Sequence, residues 1–208
     1  MPEPLLEALE LSLEHDERLL FEALSFRVAA GELLLVEGPN GSGKTSLLRF
    51  LAGLSSRSTG LLRWNGAPLD RVRPAFNAEL RYLGHAAGIK ALLSPRENLR
   101  FSARLLGADE AGIDAALARV GLAGFEDLAC HQLSAGQQRR VALAKLFLGD
   151  SRLWILDEPF TAIDKRGVAE IETWLDDHLA RGGSAIVTTH QALSLADRAR
   201  RLVLGGMS

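Results

Sequence analysis

Eight consecutive residues, Gly38-Pro39-Asn40-Gly41-Ser42-Gly43-Lys44-Thr45, have the types and spacing that hold a polyphosphate. They fit the pattern G-x-x-x-x-G-K-[ST], and each type has a physical task. The glycines let backbone N–H groups turn inward around phosphate oxygens. Lys44 brings a point charge to the β- and γ-oxygens, and the Thr45 hydroxyl suits Mg²⁺. The apolar run Leu33 to Val36 reads as a buried strand leading into the loop. After the loop, Ser46 to Ala52 reads as a helix with its positive end toward the anion, closed by Gly53.

Two more apolar runs end in groups that such a site needs. Leu153-Trp154-Ile155-Leu156 leads into Asp157 and Glu158, and Pro159 breaks the strand. Asp157 is expected to hold Mg²⁺, directly or through water, and Glu158 to polarise the attacking water. A general base of this kind contributes typically ~10²–10⁴ in rate. Ala185-Ile186-Val187-Thr188-Thr189 delivers His190, which is expected to touch the γ-phosphate and the lytic water. Active groups of open α/β sheets collect at the carboxyl ends of strands, so Lys44, Asp157, Glu158 and His190 should converge.

Leu133-Ser134-Ala135-Gly136-Gln137, followed by Gln138-Arg139-Arg140, has the makings of a second anion site. It combines a helix start, a Ser hydroxyl and a Gly that permits close approach. One nucleotide does not need both sites. Ser134, Gly136 and Gln137 are therefore expected to serve a nucleotide held by a second copy of the chain, in a two-fold, head-to-tail dimer that closes on two ATP molecules.

The remaining pattern is that of an α/β chain. Two alternating stretches, Leu5 to Leu13 and Leu19 to Val28, suit a β-hairpin, and Leu61 to Trp64 ends in the turn signal Asn65-Gly66. A small antiparallel subdomain is expected there. Arg81-Tyr82-Leu83 reads as a further core strand. From roughly 86 to 150 the signals are helical: Ser94-Pro95-Arg96-Glu97 opens one helix, Asp109 caps a second that Gly121 ends, and Ser134 opens a third that runs to Gly149. Asp164 caps a further helix closed by Gly182-Gly183, and Arg201 to Leu204 reads as a last strand. The whole, 1–208, is expected to be one domain with a helical insert.

Composition narrows the partners. The 208 residues carry 24 Lys plus Arg against 26 Asp plus Glu, so no positive excess favours nucleic acid. Cys130 is the sole cysteine, which fits a reducing compartment and a packed thiol better than a metal or haem site. No apolar run approaches the ~18 residues of a membrane span, so contact with a membrane is expected through a partner. Trp64, Trp154 and Trp174 read as packing residues.

Taken together, these motifs resemble the ATP-binding-cassette (ABC) transporter ATPases, and the likeness covers the whole chain. It implies a P-loop NTPase core with ATP and Mg²⁺ as ligands, Gly38 to Thr45 as Walker A, Leu153 to Glu158 as Walker B with the catalytic glutamate, and Leu133 to Gln137 as the signature. Thr161-Ala162-Ile163-Asp164 is similar to the D-loop, with Asp164 near the nucleotide, and His190 to the switch histidine. Where the family has a glutamine that reaches Mg²⁺ and senses the transmembrane partner, this chain has His85, a poorer Mg²⁺ ligand. His15 stands where an aromatic residue stacks on adenine. Within the family, stretches such as LVEGPNGSGKTSLLR and YLGHAAGIKALLSPRENLRF are similar to the ATP-binding subunits of the cytochrome c maturation system, of the haem-exporter type. That resemblance implies an ATPase on the cytoplasmic face of the inner membrane, driving an integral membrane partner that docks near His85 to Arg96. Another small transporter, or a cassette ATPase acting on nucleic acid or ribosomes, stays open as an alternative. A small-molecule kinase leaves Leu133 to Gln137 and Glu158 unused.

Overall fold

The structure is a computed structural model and describes residues 4–15, 18–55 and 58–205. In chain order the first elements are β1 (Leu6–His15), β2 (Arg18–Val28), β3 (Leu33–Glu37), α1 (Lys44–Leu51), β4 (Ser58–Trp64), β5 (Ala67–Pro68), α2 (Leu69–Glu79) and β6 (Leu80–Leu83). There follow α3 (Pro95–Leu106), α4 (Ile113–Arg119), α5 (Ala135–Ala144), β7 (Leu153–Asp157), α6 (Lys165–Ala180), β8 (Ser184–Thr188) and β9 (Arg200–Val203).

Two sheets result. The strands β2-β1-β4-β5 form an antiparallel sheet, and β6-β7-β8-β3-β9 form a parallel one. In the parallel sheet Leu34 lies opposite Ile186 on one side and Arg200 on the other. Successive side chains of a strand point to opposite faces, and both faces of this sheet are covered. Leu33, Leu35, Leu156 and Val187 pack with Ile171, Trp174 and Leu175 of α6 and with the helices between β6 and β7. Leu34, Val36, Ile155 and Ile186 pack with Leu47, Leu48 and Leu51 of α1 and with Leu6, Val28 and Leu62 of the antiparallel sheet. Burying such a side chain contributes about 1.5–3 kcal/mol, so both layers hold the strand ends in place.

The parallel sheet has its switch point at β3: the chain leaves it for the far edge, returns through β7 and β8, and passes over it to β9. The crevice at such a point is where ligands of open α/β sheets bind. Asn65 and Gly66, at φ 48 and φ 75, make the expected tight turn between β4 and β5.

Three elements differ from the sequence expectation. Helix α2 has no counterpart among the expected elements; its Pro74 sits just past a kink at Val72 (φ −122), where a missing N–H does no harm. Asp109 caps a single 3₁₀ turn, Glu110–Gly112, by accepting from the Ala111 N–H at 2.9 Å, and only then does α4 begin. Helix α5 tightens into a 3₁₀ turn at Lys145–Phe147 before reaching Gly149. Cys130 is buried as a free thiol beside the Asn98 amide at 3.4 Å, and burial pushes its pKa up. Among the described residues no helix is long and apolar enough to cross a membrane.

The core contains one acid-sensitive contact. His178 stacks on Trp154, with ring centroids 4.0 Å apart and planes 8° from parallel, and its Nε2–H donates to the Ser184 carbonyl at 3.2 Å. Burial pushes the imidazole down to about 4, against the Ser184 bond that favours the charged form. An unfolded His titrates near ~6.5. Above that pH neither state binds the proton and the stability is complete; below it the unfolded chain protonates first. Stability is therefore expected to fall by up to about 3 kcal/mol as pH drops from ~6.5 to ~4. Urea titrations at pH 7 and pH 5 should show a loss of about 2 kcal/mol that is absent in His178→Phe. The same loss in the variant removes His178 as its source.

Candidate nucleotide site

The turn after β3 is shaped by contacts that only its own residues allow. A Cβ on Gly38, at φ 147, would stand 2.5 Å from the Leu204 carbonyl and 2.7 Å from Ser42 Oγ. Lys44 Nζ donates to the carbonyls of Gly38 at 2.7 Å and Pro39 at 3.0 Å, which folds the loop back over its own lysine. Gly43 is the N-cap of α1 in the left-handed region, at φ 92 and ψ 11. No side chain caps α1 and no acid stands in its first turn, so no protein group competes for its leading N–H groups. An anion is the natural occupant of that position.

Strands β7 and β8 bring the acids. Asp157 is buried at 2 % exposure and accepts from the Thr188 hydroxyl at 2.7 Å through Oδ1. Its Oδ2 is buried and has no hydrogen-bond partner among the described residues, and the same is true of Ser42 Oγ and Glu158 Oε1. Glu158 holds a left-handed backbone, φ 48, rare for a residue with a side chain. Its N–H bonds to the Thr188 carbonyl at 3.2 Å and hydroxyl at 3.0 Å. His190 Nε2 lies 3.5 Å from Glu158 Oε1, a contact longer than a hydrogen bond.

One cleft of about 450 Å³ joins these groups. Asn40, Gly41, Gly43, Lys44, Thr45 and Ser46 line one wall, with His85, Asp157, Glu158 and His190 across from them. Gly38 borders a neighbouring cavity together with Lys44 and His190. Pro39 is exposed beside the loop, where its carbonyl serves Lys44, and Ser42 is buried beneath it. His15 ends β1 opposite Arg18, and its side chain lies outside the described residues. Thr161, from the D-loop-like stretch, also lines the cleft, as does Leu20 of β2, which nothing in its local sequence signals.

The second anion motif lies elsewhere. Ser134 Oγ accepts from the Gln137 N–H at 3.2 Å while Gln137 Oε1 accepts from the Ser134 N–H at 2.9 Å, the reciprocal cap that its sequence suggested. Neither residue lines the cleft, nor does Gly136. A Cβ on Gly136 would stand 2.9 Å from the Ala162 carbonyl, so within this chain the glycine's close approach is to the segment after Glu158. Asp164 caps α6, accepting from the Gly167 N–H at 2.9 Å, and is exposed outside the cleft.

The residues fit a magnesium nucleotide. The unpartnered Asp157 Oδ2 and the exposed Thr45 face a loop built for phosphate. No cluster of three His, Cys, Asp or Glu side chains suited to a metal occurs among the described residues, and Mg²⁺, which takes one or two protein oxygens and completes its shell from water and phosphate, needs none.

Comparison with known proteins decides the family. The sequence profile of the ABC transporter family matches residues 21–161, from β2 through both acids. The chain belongs to the ABC transporter family. Relatives at high identity span nearly its full length. It is similar to the cytochrome c biogenesis ATP-binding export protein CcmA of Hahella chejuensis, 51 % identical over 99 % of this chain and 98 % of that one. It is likewise similar to the protein of that name from Salmonella typhi, 54 % identical over 97 % of this chain and 98 % of that one. Among solved structures, a putative ABC transporter ATP-binding protein from Pyrococcus furiosus superposes with a TM-score of 0.80 at 27 % identity, covering 95 % of this chain and 96 % of that one. The ATP-binding subunit of another ABC transporter shares the fold, with a TM-score of 0.86 at 24 % identity over 96 % of this chain and 85 % of that one. Membership in this family makes the chain a nucleotide-binding protein.

Proposed function

We propose that the chain is the ATP-hydrolysing subunit of an export complex in c-type cytochrome biogenesis, where the relatives' name and its own cleft both point. The observation that carries the ATPase assignment is the convergence of Lys44, Asp157, Glu158 and His190 on one cleft from three strand ends. Residues 1–208 act as one ATP-binding domain, with the helical stretch from about 86 to 150 as its insert.

The mechanism follows from the chain's own groups. The loop from Gly38 to Ser46 and the open start of α1 hold the phosphates, with Lys44 leaving the Gly38 and Pro39 carbonyls for the β- and γ-oxygens. Bound Mg²⁺ supplies Lewis-acid charge to the phosphoryl oxygens, held by Thr45 and Asp157, with His85 acting through water. Asp157 is oriented by the Thr188 hydroxyl, which donates to its Oδ1. Glu158 Oε1, buried and unpartnered, takes the proton of the attacking water, and His190 beside it orients that water and the γ-phosphate.

Ser134, Gly136, Gln137 and Asp164 stand outside the cleft and complete it from a second copy, so two ATP molecules are closed in a head-to-tail dimer. The resemblance gives His15 the role of stacking on adenine. ATP binding closes the pair, closure moves the membrane partner, and hydrolysis resets it. An integral membrane subunit docks along 85–96, a site supported by Leu92 at 85 % exposure and by exposed Phe101 and Leu105 on α3. The chain then works as a peripheral subunit on the cytoplasmic side of the inner membrane, its task the delivery of haem toward a periplasmic chaperone.

ATP turnover with and without membranes that contain the partner tests this. Turnover is expected to depend on those membranes, and His85→Gln to change that dependence while the basal rate stays measurable. High turnover indifferent to membranes and to the substitution, with RNA or ribosomes co-purifying, overturns the transporter assignment.

A further inference from the structure

The signature helix holds a buried cation that the mechanism above leaves without a task. Arg139, on α5, is 4 % exposed. All its hydrogen bonds go to backbone carbonyls, and they come from two separate loops. Nη1 donates to Gly84 at 3.1 Å and His85 at 3.3 Å. Nη2 donates to Asp157 at 3.1 Å and Glu158 at 2.6 Å, and Nε to Pro159 at 3.2 Å. One planar fork therefore grips both the loop that carries His85 and the strand end that carries Glu158.

We propose that Arg139 is a positioning residue that holds Glu158 in its working conformation and ties that conformation to the His85 loop. The proposal rests on the assignment of Glu158 as the base.

Three observations support it. A left-handed backbone at a residue such as Glu158 persists only where its surroundings over-determine it. Here they do: Thr188 binds the Glu158 N–H, and Arg139 binds the carbonyls before, at and after Glu158. Second, α5 touches the same segment again three residues past Pro159, where Gly136 meets the Ala162 carbonyl. Third, the guanidinium is the one side chain with five N–H donors in a rigid plane, so no other residue can bridge these five oxygens. Burial lowers its pKa, opposed by the charges of Asp157 and Glu158, so its neighbours compensate the cation in place. Arg81 offers a contrast. It too is buried and bonds to carbonyls, those of Ala78, Leu80, Leu148 and Asp150, but none belongs to the cleft.

The consequence is mechanical. A shift of the His85 loop moves the shared guanidinium, and the guanidinium moves the Glu158 peptide. The membrane-facing loop and the base are then one unit, joined through the signature helix.

A double-mutant cycle on the full chain, with partner membranes present, tests this. Arg139→Met should lower kcat roughly ten- to a hundredfold, since displacing a catalytic group by about 1 Å costs on the order of 10²-fold, while KM for ATP stays within about threefold. Arg139→Lys should recover only part of the loss, because an ammonium keeps the charge and lacks the fork. In a Glu158→Gln background, adding Arg139→Met should lower the residual rate by less than about twofold, since both act through one carboxylate. A role confined to stability lowers the amount of folded protein and leaves kcat per nucleotide-binding site unchanged. That result overturns the proposal, as does a loss that multiplies with that of Glu158→Gln. Should Arg139→Met not fold, Arg139→Gln, which retains two N–H donors, is put through the same cycle and decides. Wild-type turnover in Glu158→Gln alone overturns the assignment of the base itself, an outcome visible without any change at Arg139.

Discussion

Glu158→Gln lowers ATP turnover by roughly 10²–10⁴-fold and leaves nucleotide affinity nearly intact, because a general base contributes on that scale and a phosphate ligand it is not. The substitution keeps the shape of the side chain and removes only its capacity to accept a proton. The backbone bonds from Glu158 to Thr188 and Arg139 do not involve the carboxylate, so the left-handed peptide has every reason to persist. Glu158 Oε1 is buried and has no hydrogen-bond partner among the described residues, and the residue lines a cleft that Lys44 and Thr45 also line. With binding preserved and hydrolysis blocked, the ATP-closed dimer should accumulate. Light scattering with Mg²⁺ and ATP should then report twice the monomer mass in the variant and a monomer after nucleotide is removed. A variant that hydrolyses ATP at the wild-type rate would leave the proton to another acceptor, and His190, 3.5 Å away, would be the first to examine.

What the sequence revealed and what it hid separate along sequence distance. The loop from Gly38 to Thr45 was legible because its shape is local: strand, turn and helix follow one another in the chain. Asp157, Glu158 and His190 were legible for a related reason, since a buried parallel strand reads as an apolar run and its end can be located to a residue. Arg139 lies just past the signature motif, and spacing alone assigns it no task. Its partners lie 55 residues away at Gly84 and 18 away at Asp157, and no periodicity reports a contact of that kind. Gly136 shows how a correct local property can be given an incomplete object. Sequence spoke for a close approach, and the approach seen within the chain is to the Ala162 carbonyl. Leu20 reaches the cleft only because β2 folds back over the glycine loop, a tertiary fact. Helix α2 is hard to read because its buried residues are only Leu69 and Phe76, too sparse for an apolar period, and these two hold it against the β4 side.

Removal of the lysine separates charge from loop geometry. In Lys44→Ala, affinity for ATP should fall by roughly 10- to 150-fold, the equivalent of one charge-assisted hydrogen bond worth about 1.5–3 kcal/mol. The ammonium now bonded to the Gly38 and Pro39 carbonyls stands among the residues that receive the β- and γ-phosphates. The loss should therefore be large for ATP, smaller for ADP and slight for AMP. The loop itself survives, because its shape also rests on the Gly38 contact with Leu204 and on the bond from the Ser42 N–H to the Pro39 carbonyl at 3.2 Å. A change of about 2–4 °C in melting temperature is all that a net loss of about 1 kcal/mol should produce in a chain of this size. Equilibrium binding of the three nucleotides, measured beside the melt, resolves the two effects. Equal losses for AMP, ADP and ATP with a much lower melting temperature would show that Lys44 acts by building the loop. A graded loss on an intact fold shows that it acts by charge, at the place where the phosphates differ.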